Sequence, residues 1–400
     1  MIQQSNGPAL DTLWRTLPFT GYQRKDGKKG IRNLVVVMAA ADNVNPLARH
    51  IAAAVPGALC LPATFGRGQL GEDLALTLRT MQGLAQHPNV FFTLVVSFEA
   101  ASSLRIVDGV CAERKQDVAW LSILDEGGIT AATRKAVSLL TPKLLEAGQQ
   151  ERTPLSAAEI TLGLECGGSD TSSGIVANPC LGLISDSLLH SGGTAIFSEP
   201  VECLGCSHLL APRARTSLVA SQISELIQTY DAIARSQGID LTGINPTADN
   251  IAGGLSSIEE KALGAISKSG SMPIEGVIAY GEHPKKPGLW LMDAPAPAVE
   301  NLTALAAGGC QMILFATGSC NPVGNPVSPT MKVCANPLST VRMHEHIDVD
   351  LSSFFTQSAS LPTLAENILR FLSDIACGKQ TAAERTGFLE HTISRIGRSV

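Results

Sequence analysis

Aromatic side chains make up only 4% of this 400-residue chain and charged ones 16%. With 44% hydrophobic residues, its cores must be built from Ala, Val, Leu and Ile, which suits helices layered on sheets. A chain this long exceeds one ordinary core and is expected to form two domains, or one large α/β domain. An excess of basic charge is also missing. The formal net charge is −6, which argues against nucleic acid as a partner, because phosphate binding needs a basic face. No apolar run approaches the roughly 20 residues of a membrane span. The start, MIQQSNGPALDTLWRTLPF, lacks the basic and apolar segments of a secretory signal. Ten cysteines are scattered without a framework spacing, as in reduced thiols of a cytoplasmic protein. The expectation is a cytoplasmic chain that binds neither nucleic acid nor membrane.

From residue 30 the pattern becomes regular. LVVVMAA, ALCLPAT, FFTLVVSF and VAWLSIL read as strands buried on both faces, each followed by an amphipathic helical stretch. Such alternation makes βαβ units and a parallel sheet. Polar, glycine-bearing segments follow each strand, so the loop chemistry collects at the carboxyl edge, where ligands of open parallel sheets bind. EAGQQERTPLS is polar and reads as a linker; EITLGL, GTAIFSE, PIEGVIAY, GLWLMDAP and QMILFATG then read as strands of a second region. The fold expected is α/β: residues 1–20 an N-terminal extension, 21–150 a Rossmann-like parallel-sheet unit, and 158–400 a larger catalytic α/β unit.

The second region opens on GLECGGSDTSSG, four glycines among twelve residues between a strand and a helix. Glycines let backbone N–H groups approach an anion, and a helix N-terminus favours negative charge. It lacks the closing Gly-Lys-Ser/Thr of a P-loop and the spacing of a dinucleotide fingerprint. A capped turn would also explain it. In GYQRKDGKKGIRN six of thirteen residues are Arg, Lys or Asp; Arg24 and Arg32 offer the planar fork that suits carboxylates, unless the run is a solvated face. Cys203 and Cys206, with Glu199, Glu202 and His208, form a dense set of potential metal donors, though a second CxxC pair is missing. Lys261 and Lys268 are seven apart on an expected helix and share a face. His344 and His346 alternate with Asp348 and Asp350 at strand spacing.

Together these segments resemble the altronate/galactarate dehydratase family. GYQRKDGKKGIRN, GLECGGSDTSSGIVANPCLG, SEPVECLGCSHLL, DNIAGGLSSIEEKALGAISKSGS, GLWLMDAP and FATGSCNPVGNPVSPTMKVCAN match its motifs in order, over roughly residues 21 to 350. The resemblance implies a lyase that removes water from a sugar acid to leave a 2-keto-3-deoxy acid, with Fe²⁺ or Mn²⁺, or else Mg²⁺ or Ca²⁺, as cofactor. A related branch, the large subunit of sulfolactate sulfo-lyase, expels sulfite instead. The family's small N-terminal domain is missing here, which implies a separate small subunit as partner; a homo-oligomer is also compatible. The loops after the second and third strands, ATFGRGQLGED and SFEAASS, lack the cysteines many relatives carry there, although Glu72, Asp73 and Glu99 lie in or beside them. That departure favours a harder metal or an altered substrate, and leaves open a non-catalytic sugar-acid-binding paralogue.

On this reading Arg24, Arg32 and Asn33, with the loop residues Gly167, Gly168, Ser169, Asp170 and Ser173, and with Asn178, Gly253 and Gly254, bind the substrate. Glu199, Glu202 and Cys166 hold the metal. Lys261 or Lys332 is the base or enolate stabiliser, and His208 the proton donor.

Overall fold

A computed structural model describes residues 7–241 and 244–400; residues 1–6 of the expected N-terminal extension lie outside the described residues. In chain order the strands are β1 (Thr20–Gln23), β2 (Lys29–Gly30), β3 (Leu34–Ala39), β4 (Ala58–Leu61), β5 (Val90–Ser97), β6 (Val118–Ser122), β7 (Thr153–Pro154), β8 (Thr161–Cys166), β9 (Thr194–Phe197), β10 (Ile274–Ile278), β11 (Gly288–Met292), β12 (Met312–Ala316), β13 (Thr330–Cys334) and β14 (Val349–Asp350). They form three sheets: β2-β1-β7, β4-β3-β5-β6 and β10-β11-β9-β8-β12-β13-β14. The two larger sheets are parallel throughout, so the molecule is α/β, as the alternation of buried strands and amphipathic helices predicts.

Burial explains the layering. Val35, Val37, Leu94 and Val96 turn to one face of the four-stranded sheet, under helices Asn45–Ala54 and Ile129–Gln149, while Val36, Met38 and Val95 turn to the other. That alternation is the period-2 pleat of strands covered on both sides. The second face also meets Ala306, Ala307 and Val327 from the larger unit. At this seam Gly83 is required: a Cβ there would lie 2.3 Å from the Ala307 carbonyl oxygen. Fully buried His87 and Asn89 stitch the units, His87 Nε2 to Cys310 O at 3.1 Å and Asn89 Nδ2 to Gln311 O and Val327 O at 2.9 Å each. Because His87 Nδ1 accepts from the Asn89 amide, Nε2 carries the proton.

Three local readings are corrected. The segment TMKVC is strand β13, masked in sequence by Lys332, a fully buried lysine inside an otherwise apolar run. His344–His346 is a single 3₁₀ turn, not a strand, because the helix Pro337–Arg342 runs directly into it. SLRIVDGVCAERK, helical in its pattern after β5, is α-helical only to Val107, and a separate 3₁₀ segment follows over Ala112–Asp117. No helix among the described residues is long and apolar enough to cross a membrane.

Candidate functional site

In the seven-stranded sheet the chain runs from β8 to β9 on one side, and later from β12 to β13 on the other. The loops leaving β8 and β12 therefore part at the sheet's carboxyl edge, which opens a crevice at the topological switch point. A pocket of about 470 Å³ sits there, lined by Gly167–Ser169, Cys166, Glu199, Glu202, Asn250, Lys261 and Ser319, with Thr247 and Asp249 at its rim.

The loop after β8 is shaped by its glycines. Gly167 N donates to Ala316 O at 3.1 Å, so that amide closes the sheet and does not face a ligand. Gly168 has φ +62, and its carbonyl accepts from Gly318 N and Ser319 N at 3.0 Å each. Among the described residues no acceptor engages the amides of Gly168 and Ser169, which leaves two adjacent donors at the pocket wall. Asn250 Nδ2 fixes the carbonyl of Ser169 at 2.9 Å.

Glu199 is the pocket's most constrained side chain. It follows β9 in the left-handed region (φ 68, ψ 59) and is 1% exposed. Holding a non-glycine residue there costs on the order of 1–3 kcal/mol and marks a functional site more often than chance. Its Oε2 contacts the Lys268 ammonium directly and accepts from Cys166 N at 3.2 Å. Lys268 Nζ also lies 3.0 Å from Cys166 Sγ. Burial raises the Glu199 carboxyl above its ordinary range although Lys268 opposes the shift. Burial alone would lower the Lys268 pKa, but Cys166, Glu199 and Glu165 together hold it well above the usual lysine value. Burial and the Glu199 charge push the Cys166 thiol up, so it keeps its proton. Beside it Glu165 is fully buried with neither carboxyl oxygen hydrogen-bonded, and burial and Glu199 raise it well above the carboxylate range. The site thus holds a fixed ammonium beside three acids whose protons are retained to different degrees. A second pair lies at the mouth: Lys261 Nζ is 3.1 Å from Glu202 Oε1 and donates to Asn245 Oδ1 at 2.7 Å, while Glu202 Oε2 has no partner.

The other predicted residues lie elsewhere. Arg24 is spent on Pro88 O, Asn33 Oδ1, Gln150 Oε1 and Arg32 O. Arg32 grips both oxygens of Glu384 and the carbonyls of Ile375 and Lys379, and Asn33 donates to Ala147 O. Arg32 ties the first unit to the C-terminal helices, while Arg24 and Asn33 brace the first unit internally. His208 is exposed on a one-turn helix. Lys332 is sealed inside the sheet, its Nζ 3.6 Å from the centre of the Phe315 ring and donating to Val323 O; burial holds its pKa well below the ordinary value. Asp170 accepts from Ser172 Oγ, Ser173 N and Asn336 Nδ2, all at 2.7 Å, and so organises the loop. Ser173 completes that turn, and Asn178 is buried in the following helix. Gly253 and Gly254 give the loop room, since a Cβ on either would meet Asp170 or Thr171.

Of the expected metal donors, Glu199, Glu202 and Cys166 do share the pocket. Glu199 and Cys166 are engaged by Lys268, and Glu202 by Lys261. Two ammonium groups repel a dication, and no group of three or more His, Cys, Asp or Glu among the described residues is arranged to hold a metal ion. In this arrangement the donors do not fit a divalent ion. Glu72, Asp73 and Glu99 do not line the pocket.

Fold and crevice define the class: an open-sheet α/β protein with a charged, small-molecule-sized pocket at its switch point. The chain belongs to the D-galactarate/altronate dehydratase family. The model of that family's C-terminal domain matches residues 157–399, and that of the D-galactarate dehydratase/altronate hydrolase second domain matches residues 21–148. The (2R)-sulfolactate sulfo-lyase subunit beta of Chromohalobacter salexigens is 38% identical over 385 residues, covering 95% of this chain and 98% of that protein. Altronate dehydratase of Escherichia coli is 32% identical over 393 residues, 94% of this chain and 77% of the relative. Galactarate dehydratase (L-threo-forming) of the same organism is 28% identical over 384 residues, 90% and 73%. All three relatives are lyases by name, acting on carbon–oxygen or carbon–sulfur bonds.

Proposed function

We propose that the chain is the catalytic subunit of a lyase that eliminates a substituent from the carbon next to C2 of a small 2-hydroxy carboxylate. The C2 proton leaves, the C3 bond to the leaving group breaks, and the enol formed becomes a 2-oxo acid. From a sugar acid this yields water and a 2-keto-3-deoxy acid; from (2R)-sulfolactate it yields sulfite and pyruvate. The buried Glu199–Lys268–Cys166 cluster opening onto the pocket carries the reading.

The substrate carboxylate meets the amides of Gly168 and Ser169. Removing the C2 proton builds charge on that carboxylate, and preorganised donors in a dry site stabilise such charge best. The Lys268 and Lys261 ammonium groups supply it. Glu199 moves the C2 proton: its pKa, raised toward neutrality, suits a group that must accept and return protons near neutral pH. The two ammonium groups take the part a divalent ion would otherwise play, because both lysines already occupy the carboxylates that would ligate it. Sulfite is the favoured leaving group, supported by the match to the sulfo-lyase subunit over nearly the full length of both chains. That relative's designation as a subunit supports a separate small subunit here.

The test is an assay of (2R)-sulfolactate, altronate and galactarate for 2-oxo acid and for sulfite. It is run with and without a co-expressed small subunit and with and without added Fe²⁺ or Mn²⁺. Sulfite and pyruvate from sulfolactate support the reading, and 2-keto-3-deoxy acid without sulfite moves it to water elimination. Turnover strictly dependent on Fe²⁺ or Mn²⁺ overturns the ammonium-based account.

A further inference from the structure

Behind the ligand pocket lies a thiol pair that the elimination does not use. Cys320, in the loop after β12, and Cys334, the last residue of β13, place their sulfurs 3.4 Å apart. They make the only thiol–thiol hydrogen bond among the described residues. They are 1% and 0% exposed, and all ten cysteines are free. Cys320 also sits in the left-handed region, φ +64, one of three non-glycine residues described with positive φ. Glu199 at the pocket is another. Just before Cys320 lie Gly318 and the pocket-lining Ser319, whose amides are both bonded to Gly168 O at 3.0 Å. Two residues beyond Cys334, Asn336 holds Asp170 at 2.7 Å. The pair therefore joins the two strands whose loops flank the ligand loop.

We infer that Cys320 and Cys334 form a site of reversible oxidation, closing to a disulfide with a hydroperoxide as oxidant and reopening with a thiol reductant. A recess of about 120 Å³, lined by Asp170, Gly318, Ser319, Asn336 and Ser339, opens at the residues flanking the pair, so a small local opening of the Cys320 loop admits a water-sized peroxide. The Cys320 thiolate attacks a peroxide oxygen, the O–O bond breaks, and hydroxide leaves a sulfenic acid on Cys320. Cys334 then attacks that sulfur, the S–O bond breaks, and water departs as the S–S bond forms. Two thiols lose two electrons and two hydrogens, and one peroxide becomes two waters. Cys320 is the attacking partner: its contact with Cys334 lowers the Cys320 pKa, while the same contact and burial raise that of Cys334.

The closure has a structural consequence. A disulfide needs its sulfurs about 2.05 Å apart, so the two sulfurs must approach by more than an ångström from the present 3.4 Å, and any part of that supplied by the backbone shifts the Cys320 loop toward β13. Gly318 and Ser319 are bonded to Gly168 and carry that movement to the ligand loop. A 1 Å misplacement at a reacting centre costs about a hundredfold in rate, and a reversible loss of that order is expected in the oxidised protein.

The full chain is treated with hydrogen peroxide, its remaining thiols are alkylated, and peptides are mapped by mass spectrometry before and after dithiothreitol. A linked Cys320–Cys334 peptide that has lost two hydrogens and reopens on reduction supports the inference. In Cys334→Ser, Cys320 should remain as sulfenic acid or advance to sulfinic acid, with no link. Free alkylation of both residues while exposed Cys377 is oxidised, or sulfinic acids on both without a link in the wild type, overturns it. The mapping does not depend on turnover, so it stands apart from the lyase reading.

Discussion

Replacing Glu199 by Gln removes one charge from the buried pair with Lys268 while keeping the side chain's volume and one oxygen acceptor. Removing one partner of a buried ion pair costs about 3–5 kcal/mol, because the other charge is left uncompensated in a poorly solvated site. Gln still offers its oxygen to Lys268 Nζ and to Cys166 N, so the lower end, about 3 kcal/mol, is expected. For a unit the size of residues 157–399, melting shifts by about 2–4 °C per kcal/mol. The single variant should therefore melt about 6–12 °C lower. Adding Lys268→Met removes the stranded charge, and neutral replacement of both partners is often tolerated. The double variant should recover most of the stability and none of the turnover. Thermal melts and 2-oxo acid assays on the wild type, both single variants and the double variant complete the cycle. A single variant within about 1 kcal/mol of wild type, or a double variant that still turns over, would refute the reasoning.

Arg32→Ala should lower stability by about 1–3 kcal/mol, the range for losing charge-assisted hydrogen bonds, and leave KM unchanged, because its donors hold Glu384, Ile375 and Lys379; a raised KM at unchanged melting temperature would restore it to the ligand. Gly168→Ala should abolish ligand binding, since its φ is +62 and a Cβ would lie 2.0 Å from Ser319 Oγ; isothermal titration with a candidate acid checks this, and unchanged affinity counts against the loop's assigned role. His87 gives a pH test. Burial lowers its pKa to about 3 from an ordinary 6.5, so between those values the unfolded chain binds more protons, and stability, complete above 6.5, falls as pH falls. The loss approaches about 1.4 kcal/mol per pH unit, and His87→Gln should flatten the melting profile between pH 6.5 and 5; parallel profiles would contradict the assignment.

Much of the architecture is legible because parallel strands buried on both faces are continuous apolar runs, and their loops must gather at one edge. The same logic brings the segments carrying Cys166, Gly168, Glu199, Glu202 and Lys261 to that edge. What sequence reading misses is how charge is spent. Arg24 and Arg32 are the obvious cations for a carboxylate, yet carbonyls at the seam consume them. Lys268 shares a helix face with Lys261, but nothing local reveals that it closes its helix directly under Glu199. Glu165 reads as the polar end of a strand, and its isolation becomes visible only once Phe315 and the neighbouring strands cover it. Lys332 hides β13 because a lysine in a strand signals solvent, whereas here an aromatic face and a carbonyl receive its ammonium.

The central claim is that Glu199 moves the C2 proton of a 2-hydroxy carboxylate held in the switch-point pocket. Proton NMR in D₂O, with (2R)-sulfolactate, altronate and galactarate and a co-expressed small subunit present, follows that proton directly. The account predicts loss of the C2–H signal of one of these acids as the 2-oxo product appears with wild-type protein, and its persistence with Glu199→Gln. Loss of the signal at an undiminished rate with Glu199→Gln, or persistence for all three acids with wild-type protein, would contradict it.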